Sequence, residues 1–472
     1  MFLKNGFYIL CILLTVSLAA GCNFFGDDED YETFVYSDAE LISWSLTSDS
    51  LPALDSVVFS IDQEKGEIFN YDSMAFGTEV IYKAIVTYTS GSGSTGNVLN
   101  ITPNDTTAVP DSTWVSSGDS LDVRRPLRIR VYAYNGNTKE YTVKLNIHQV
   151  DPDSMQYVKI ENNLDLGKFD ETKTLHYKGK YLTFAKNAGK IELYSSTDMQ
   201  TWTQETLTGL PDDAIIEQIK GTEDSLFVCT EQRYLYSTGK DATEWTQVQA
   251  LGYPVSEVYS VLGYLKPSTT QKGGLAIHQV LIPTGEGPSP VYQFAVINDG
   301  KIEYSQSYSA SDLEFFPVNG FSTINSEIFL TQRITIAGGT SIGGKILNEV
   351  WSTEDGLYWG RLTADKANVF PALDGCNILD YNNEIWVLNG QRQDESKTMN
   401  DSIWSSIDGG VTWGKRPDKC LPPSDFKLRK NASVVPATDG KTFYIVGGKD
   451  RNNAILPEIW QVWINKKTFN VL

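Results

Sequence analysis

The stretch Asn400-Asp401-Ser402-Ile403-Trp404, followed after Ser405 by Ser406-Ile407-Asp408-Gly409-Gly410-Val411-Thr412-Trp413, reads as strand, tight turn, strand. A short apolar run, Glu384 to Leu388, and Gly390 with a polar loop come before it. The pattern recurs. Upstream stand Gly338-Gly339, Asn348-Glu349-Val350-Trp351, and Thr353-Glu354-Asp355-Gly356 with Trp359; downstream stand Gly447-Gly448 and Pro457-Glu458-Ile459-Trp460. The glycine-to-tryptophan intervals are 12 (339 to 351), 14 (390 to 404) and 12 (448 to 460) residues. Self-similarity at a period of about 50 residues marks a chain built by repeating one supersecondary unit.

The turn has a physical logic. Short Asp and Ser side chains can bond nearby backbone amides and fix a turn. Glycine supplies the positive φ a hairpin turn often needs, and tryptophan adds a large apolar body. Ser406, Asp408, Gly410 and Trp413 are therefore read as a turn lock rather than as catalytic groups. Their pattern resembles the Asp-box of many β-propellers, and the glycine-to-tryptophan unit resembles the kelch repeat. In propellers, the resemblance implies, this box lies away from the central ligand face.

Extending the alignment places Tyr194, Tyr236, Phe294, Trp351, Trp404 and Trp460 at one position, at intervals of 42, 58, 57, 53 and 56 residues. The clearer copies carry an Asp and a Trp in the following turn: Asp198 with Trp202, Asp241 with Trp245, Asp355 with Trp359, Asp408 with Trp413. The third copy is degenerate, with Asn298-Asp299-Gly300. Six copies of four strands fit residues 155–472. The expectation is a six-bladed kelch/sialidase-like β-propeller, seven-bladed if residues 155–166 form a partial blade. Ring closure is expected to bring Thr468 to Leu472 to the first blade.

The chain opens with Lys4, a mostly apolar Phe7 to Leu18, and Leu18-Ala19-Ala20-Gly21-Cys22. The apolar run is short for a membrane span and suits a secretory signal. Its end resembles a bacterial lipobox, which implies a signal peptide over 1–21 and lipidation at Cys22. Residues 22–32, with Asp27-Asp28-Glu29-Asp30, read as an acidic tether; the block also resembles the export signal of Bacteroidota surface lipoproteins. The expected address is the outer membrane, lipid-anchored and facing the cell surface.

Composition suits an extracytoplasmic globular protein: 21% charged, 41% hydrophobic and 12% aromatic. The 39 basic residues less Lys4 leave 38 against 59 acidic ones, a net −21 after signal removal. Such a surface argues against nucleic acid as a partner. It repels acidic glycans unless a local basic patch exists. Beyond Cys11 and Cys22 only Cys229, Cys376 and Cys420 remain, too few for a disulfide framework. Cys229 follows Leu226-Phe227-Val228 and reads as core. A Cys376–Cys420 bridge stays open.

Residues 33–150 alternate apolar and polar side chains in Val57 to Ile61, Ile81 to Tyr88 and Leu127 to Tyr134. Asn135-Gly136-Asn137 then turns into Tyr141 to Ile147, a strong hairpin signal. The expectation is an antiparallel β-sandwich. Its end resembles the cadherin-like or Ig-like modules of bacterial surface proteins. Gly91 to Gly96 is a flexible loop and Asp151-Pro152-Asp153 marks the boundary. Asp-Ser-apolar triplets at Asp49, Asp55, Asp72, Asp119 and Asp153 resemble a Bacteroidota O-glycosylation sequon, with plain turn chemistry as the alternative.

Two enzyme readings are weighed against binding. Sialidases place three arginines on a substrate carboxylate, but their Phe-Arg-Ile-Pro signature is absent here. Copper radical oxidases need clustered histidines, and residues 155–472 hold only His176 and His278. No cofactor or metal is called for. The loops Thr340 to Leu347, Gln391 to Met399 and Lys449 to Leu456 open on one face of a kelch ring. They offer Lys345, Arg392, Asp394, Lys449, Asp450, Arg451 and Asn452 as candidate ligand contacts. The full layout resembles the Bacteroidota surface lipoproteins catalogued as domain of unknown function 6242. The reading is a lipid-anchored surface protein that binds a glycan or protein at the propeller mouth. The rivals are a sialidase-like glycoside hydrolase and a purely structural envelope component.

Overall fold

A computed structural model describes residues 37–79, 81–91, 97–103, 112–222, 224–239, 241–281, 289–328, 331–363, 369–393, 396 and 398–465. The expected signal segment, Cys22, the expected acidic tether, Asp394, most of the Gly91 to Gly96 loop and the strand expected at Thr468 to Leu472 lie outside them. The chain divides into two compact units, 1–149 and 150–472. No helix among the described residues is long and apolar enough to cross a membrane.

Unit 1 is a two-sheet sandwich. Leu41–Thr47, Ala84–Ser90 and Ser120–Leu121 form one sheet; Phe59–Asp62, Glu67–Asn70, Thr138–Lys144, Leu127–Tyr132, Val98–Asn100 and Thr113–Val115 form the other, in that order. Alternation does the work. Along Ala84–Ser90 every second side chain is buried, so Ala84, Val86 and Tyr88 pack on Ile129, Val131, Tyr141 and Val143 of the facing sheet. The hairpin closes as Tyr132 pairs with Thr138, and Gly136 takes φ 89° in its turn. The sandwich is not wholly antiparallel, a correction to the expectation: Glu67–Asn70 runs parallel to Thr138–Lys144. Two strands far apart in sequence carry no turn signal that fixes their direction.

Unit 2 holds, among the described residues, six four-stranded antiparallel sheets. In the fifth, the order is Asn377–Tyr381, Glu384–Leu388, Trp404–Ser406, Gly414–Lys415. Tyr194, Tyr236, Phe294, Trp351, Trp404 and Trp460 each sit in a third strand. The innermost strands Glu171–Tyr177, Lys220–Gly221, Val258–Leu265, Ser322–Ile328, Asn377–Tyr381 and Ser433–Pro436 follow one another around a closed cycle, Glu171–Tyr177 meeting the second sheet's side through the turn Ile216–Gln218. The sixth sheet is completed from the other end of the unit. Met155–Ile160 pairs with Ile459–Ile464, Met155 opposite Ile464 and Ile160 opposite Ile459. Residues 155–160 therefore finish a sheet rather than start a partial one, and closure covers edges that would otherwise stay exposed.

Between sheets the core is apolar and aromatic. Trp386 and Phe443 are fully buried and both meet the Tyr381 ring at 5.0 Å. Burying one such ring contributes about 2–3 kcal/mol. Cys229, Cys376 and Cys420 are all free and buried, so the Cys376–Cys420 bridge is not formed.

Candidate functional site

Topology separates two ends of the sheets. Each turn between third and fourth strands lies at the end opposite to where the innermost strands begin. At the turn end, Asp408 Oδ1 accepts from the Val411 and Thr412 amides at 3.1 and 2.9 Å and from Ser406 Oγ at 2.7 Å. Its Oδ2 accepts from Thr412 Oγ1 at 2.5 Å. Burial opposes ionisation, but these donors hold the Asp408 carboxyl below the usual range. Trp413 Nε1 donates to Gly410 O at 3.0 Å. The arrangement repeats at Asp198 with Trp202 and at Asp355 with Trp359. At Trp245 the indole bond to Ala242 O persists at 3.0 Å. The residue offering that carbonyl has positive φ each time: Met199, Ala242, Gly356 and Gly410.

At the other end a cavity of about 180 Å³ opens on the ring axis. The segments leading into the innermost strands line it: Lys173, Glu217, Gln218, Lys220, Asn319, Phe321, Cys376 and Asn431 among them. Hydrogen bonds knit this rim from sheet to sheet. The Gly375 amide donates to Gly320 O at 2.9 Å and the Asn431 amide to Gly375 O at 2.8 Å. Asn431 Nδ2 then reaches Glu217 Oε1 at 3.0 Å, and Gln218 Nε2 reaches Asn319 Oδ1 at 3.4 Å. Gly375 must be glycine here. It has φ 64°, and a Cβ would stand 2.0 Å from Asn431 Oδ1.

Arg429, fully buried, braces the rim from behind. It donates to Gly447 O at 2.8 Å and Lys427 O at 3.0 Å, and faces Glu458 at 3.5 Å. Burial pushes its guanidinium down to about 10, against the Glu458 charge.

The charged groups of the cavity are less settled. Lys173 and Lys220 are half-buried. Neither ammonium has a hydrogen-bond or ion-pair partner among the described residues; Lys220 Nζ lies 5.4 Å from the Phe321 ring centroid. Burial, reinforced by the Lys173 charge, pushes Lys220 down to about 7. Burial also pulls Lys173 below the ordinary lysine range, against the attraction of Glu217. Burial and then the Glu171 carboxylate push Glu217 up, against Lys449, Lys173 and the Asn431 amide. Cys376 is no thiolate, since burial and Asp374 push it up to about 12. Among the described residues no group of three or more His, Cys, Asp or Glu is placed to hold a metal.

The loops singled out in the sequence connect second to third strands, so they open at this same end. They touch one another: the Ile346 amide donates to Gln393 Oε1 at 3.3 Å, and Lys430 links Gln391 to the Lys449 backbone. Among the described residues, their named side chains do not line the cavity. Lys345 pairs with Glu314 at 3.7 Å and Arg392 with Asp401 at 3.3 Å. Asp450 caps its own turn through the Asn452 and Ala454 amides. Arg451 and Asn452 are exposed, and Lys449 acts on Glu217 only through its charge. Asp394 lies outside the described residues. Lys173, Lys220, Glu217 and Asn431 were missed because the alignment was anchored on third strands. Polar residues at or just before the innermost strands, such as Lys173, Glu217, Lys220 and Asn431, were the signal to follow.

A model of the "DUF6242 beta propeller domain" matches residues 151–472, and one of the DUF6242 N-terminal domain matches residues 35–145. The chain belongs to the DUF6242 family. Both parts of the family layout, N-terminal domain and propeller, are therefore present. A solved structure entitled "Structure of YjhT" is 10% identical, covers 64% of this chain and 95% of its own, and superposes with a TM-score of 0.42. No curated protein matches the chain.

Proposed function

We propose that this DUF6242 chain is a lipid-anchored binding protein that holds its ligand in the axial cavity of the propeller. The supporting observation is the cavity's chemistry: two lysines with no hydrogen-bond or ion-pair partner among the described residues face one carboxylate inside an otherwise hydrogen-bonded polar rim. A half-buried charge without a counter-charge is what an oppositely charged ligand would complete. The loops bearing Lys345, Arg392 and Lys449 stand around the opening and suit contacts to a larger glycan or protein. The anchor rests on the Leu18-Ala19-Ala20-Gly21-Cys22 stretch and the acidic block that follows; they support attachment to the outer membrane and display at the surface.

Sialidase-like hydrolysis finds no support in the arginines of residues 155–472. Six of the seven pair with carboxylates: Arg233, Arg333, Arg361, Arg392, Arg416 and Arg429. None of the seven lines the cavity. One observation favours a different catalytic reading. Lys220 is lowered and Glu217 raised, which brings a base and an acid toward neutrality in one cavity. The test is a glycan-library screen of the full chain in detergent, run with a turnover readout and repeated on Ser322→Trp, which fills the cavity. Ligands lost in the variant without turnover support binding. Turnover lost on Lys220→Met supports catalysis. Ligands retained by Ser322→Trp would move the site elsewhere.

A further inference from the structure

We infer that the axial cavity selects a sugar acid, a hydroxylated monocarboxylate of monosaccharide size, with its carboxylate between Lys173 and Lys220. This rests on the binding reading above and adds the ligand class. Charge is the first argument. With Glu217 ionised and both lysines protonated, the cavity carries one net positive charge, which a monoanion neutralises. Size is the second. At roughly 30 Å³ per water, 180 Å³ accommodates about six waters' volume, on the scale of one sugar ring. The lining is the third. Thr172, Ser322 and Asn319 offer hydroxyls and an amide to sugar hydroxyls, and Phe321 supplies an apolar ring face. The rest of the surface is acidic, so this local basic pair is where an acidic ligand is attracted rather than repelled.

The remaining charges nearby are accounted for. Lys430 pairs with Asp374 at 3.6 Å on the rim. Lys449 and Glu171 act on Glu217 through their charges. Lys220 is only partly protonated near neutral pH. A bound carboxylate favours the charged form, so binding takes up a proton and weakens as pH rises through 7.

The experiment is calorimetry on the full chain with D-glucuronate, D-glucose and inorganic phosphate at pH 6.5 and 8.5, in buffers of differing ionisation enthalpy. Glucuronate is expected to bind at pH 6.5 at least tenfold more tightly than glucose or phosphate, with proton uptake, and at least tenfold more weakly at pH 8.5. Lys220→Met is expected to lose it. Lys220→Arg is expected to bind with a flat pH profile, which a merely structural role would not produce. Glucose or phosphate matching glucuronate, or Lys220→Met binding as wild type, overturns the inference. A neutral ligand displaced by Ser322→Trp would overturn the sugar-acid assignment while the binding reading survives. No library ligand sensitive to Ser322→Trp would end both.

Discussion

At the turn end of the sheets, Asp408 receives hydrogen bonds from Ser406, Val411 and Thr412, all within its own hairpin. At the axial cavity, the ammonium groups of Lys173 and Lys220 have no hydrogen-bond or ion-pair partner among the described residues. Both places hold ionisable side chains near an apolar interior. They differ in whether the chain itself completes their bonding. An ionised group satisfied by its own loop lowers the free energy of the fold and has nothing left to offer a ligand. A half-buried cation without a partner costs stability, and a ligand that supplies the missing charge recovers it. The comparison separates structural from functional charge without recourse to residue type.

Four perturbations test that separation. The largest effect is expected from Arg429→Met, on the completed side. It leaves the largely buried side chain of Glu458 without its Arg429 partner and frees the Gly447 and Lys427 carbonyls; a loss of about 3–5 kcal/mol is expected in denaturant unfolding. Asp408→Ala removes a turn lock that serves four donors and is expected to cost about 1–2 kcal/mol, by analogy with a helix cap. Lys220→Met should act with the opposite sign. Removing an unpaired half-buried cation is expected to raise stability by about 0.5–2 kcal/mol while abolishing anion binding, the usual trade between a site and its scaffold.

The smallest effect is the pH dependence of that gain. Lys220 is near 7 folded and 10.5 unfolded, so the unfolded chain holds more protons between those values. The penalty is full below about 7 and fades as pH rises toward 10.5. The stability difference between Lys220→Met and wild type should shrink over the same range in parallel melts. A difference that grows with pH would reverse the assignment.

The repeated sheets were legible because their signals are local. A tryptophan four or five residues after an aspartate recurs at four of the hairpins, and the aligned residues Tyr194 to Trp460 all fall in third strands. The degenerate third copy still turns at Asp299 and Gly300, both with positive φ. What was not legible depended on contacts between distant segments. The parallel pairing of Glu67–Asn70 with Thr138–Lys144 has no sequence mark. Neither has the pairing of Met155–Ile160 with Ile459–Ile464, which joins the two ends of unit 2. The cavity is assembled the same way. Lys173, Glu217, Asn319, Gly375 and Asn431 lie in or just before the innermost strands of five different sheets and meet only once the ring closes. The polar loops were the visible part of that end, and several of their charges are paired or capped locally, as at Lys345, Arg392 and Asp450.

The most direct measurement is an NMR titration of lysine side chains in ¹³C-labelled protein, with Lys220 assigned by comparison with Lys220→Met. The account predicts one lysine titrating near 7, moving toward the ordinary range when glucuronate is added. A Lys220 signal that titrates near 10.5 and ignores the ligand would contradict it.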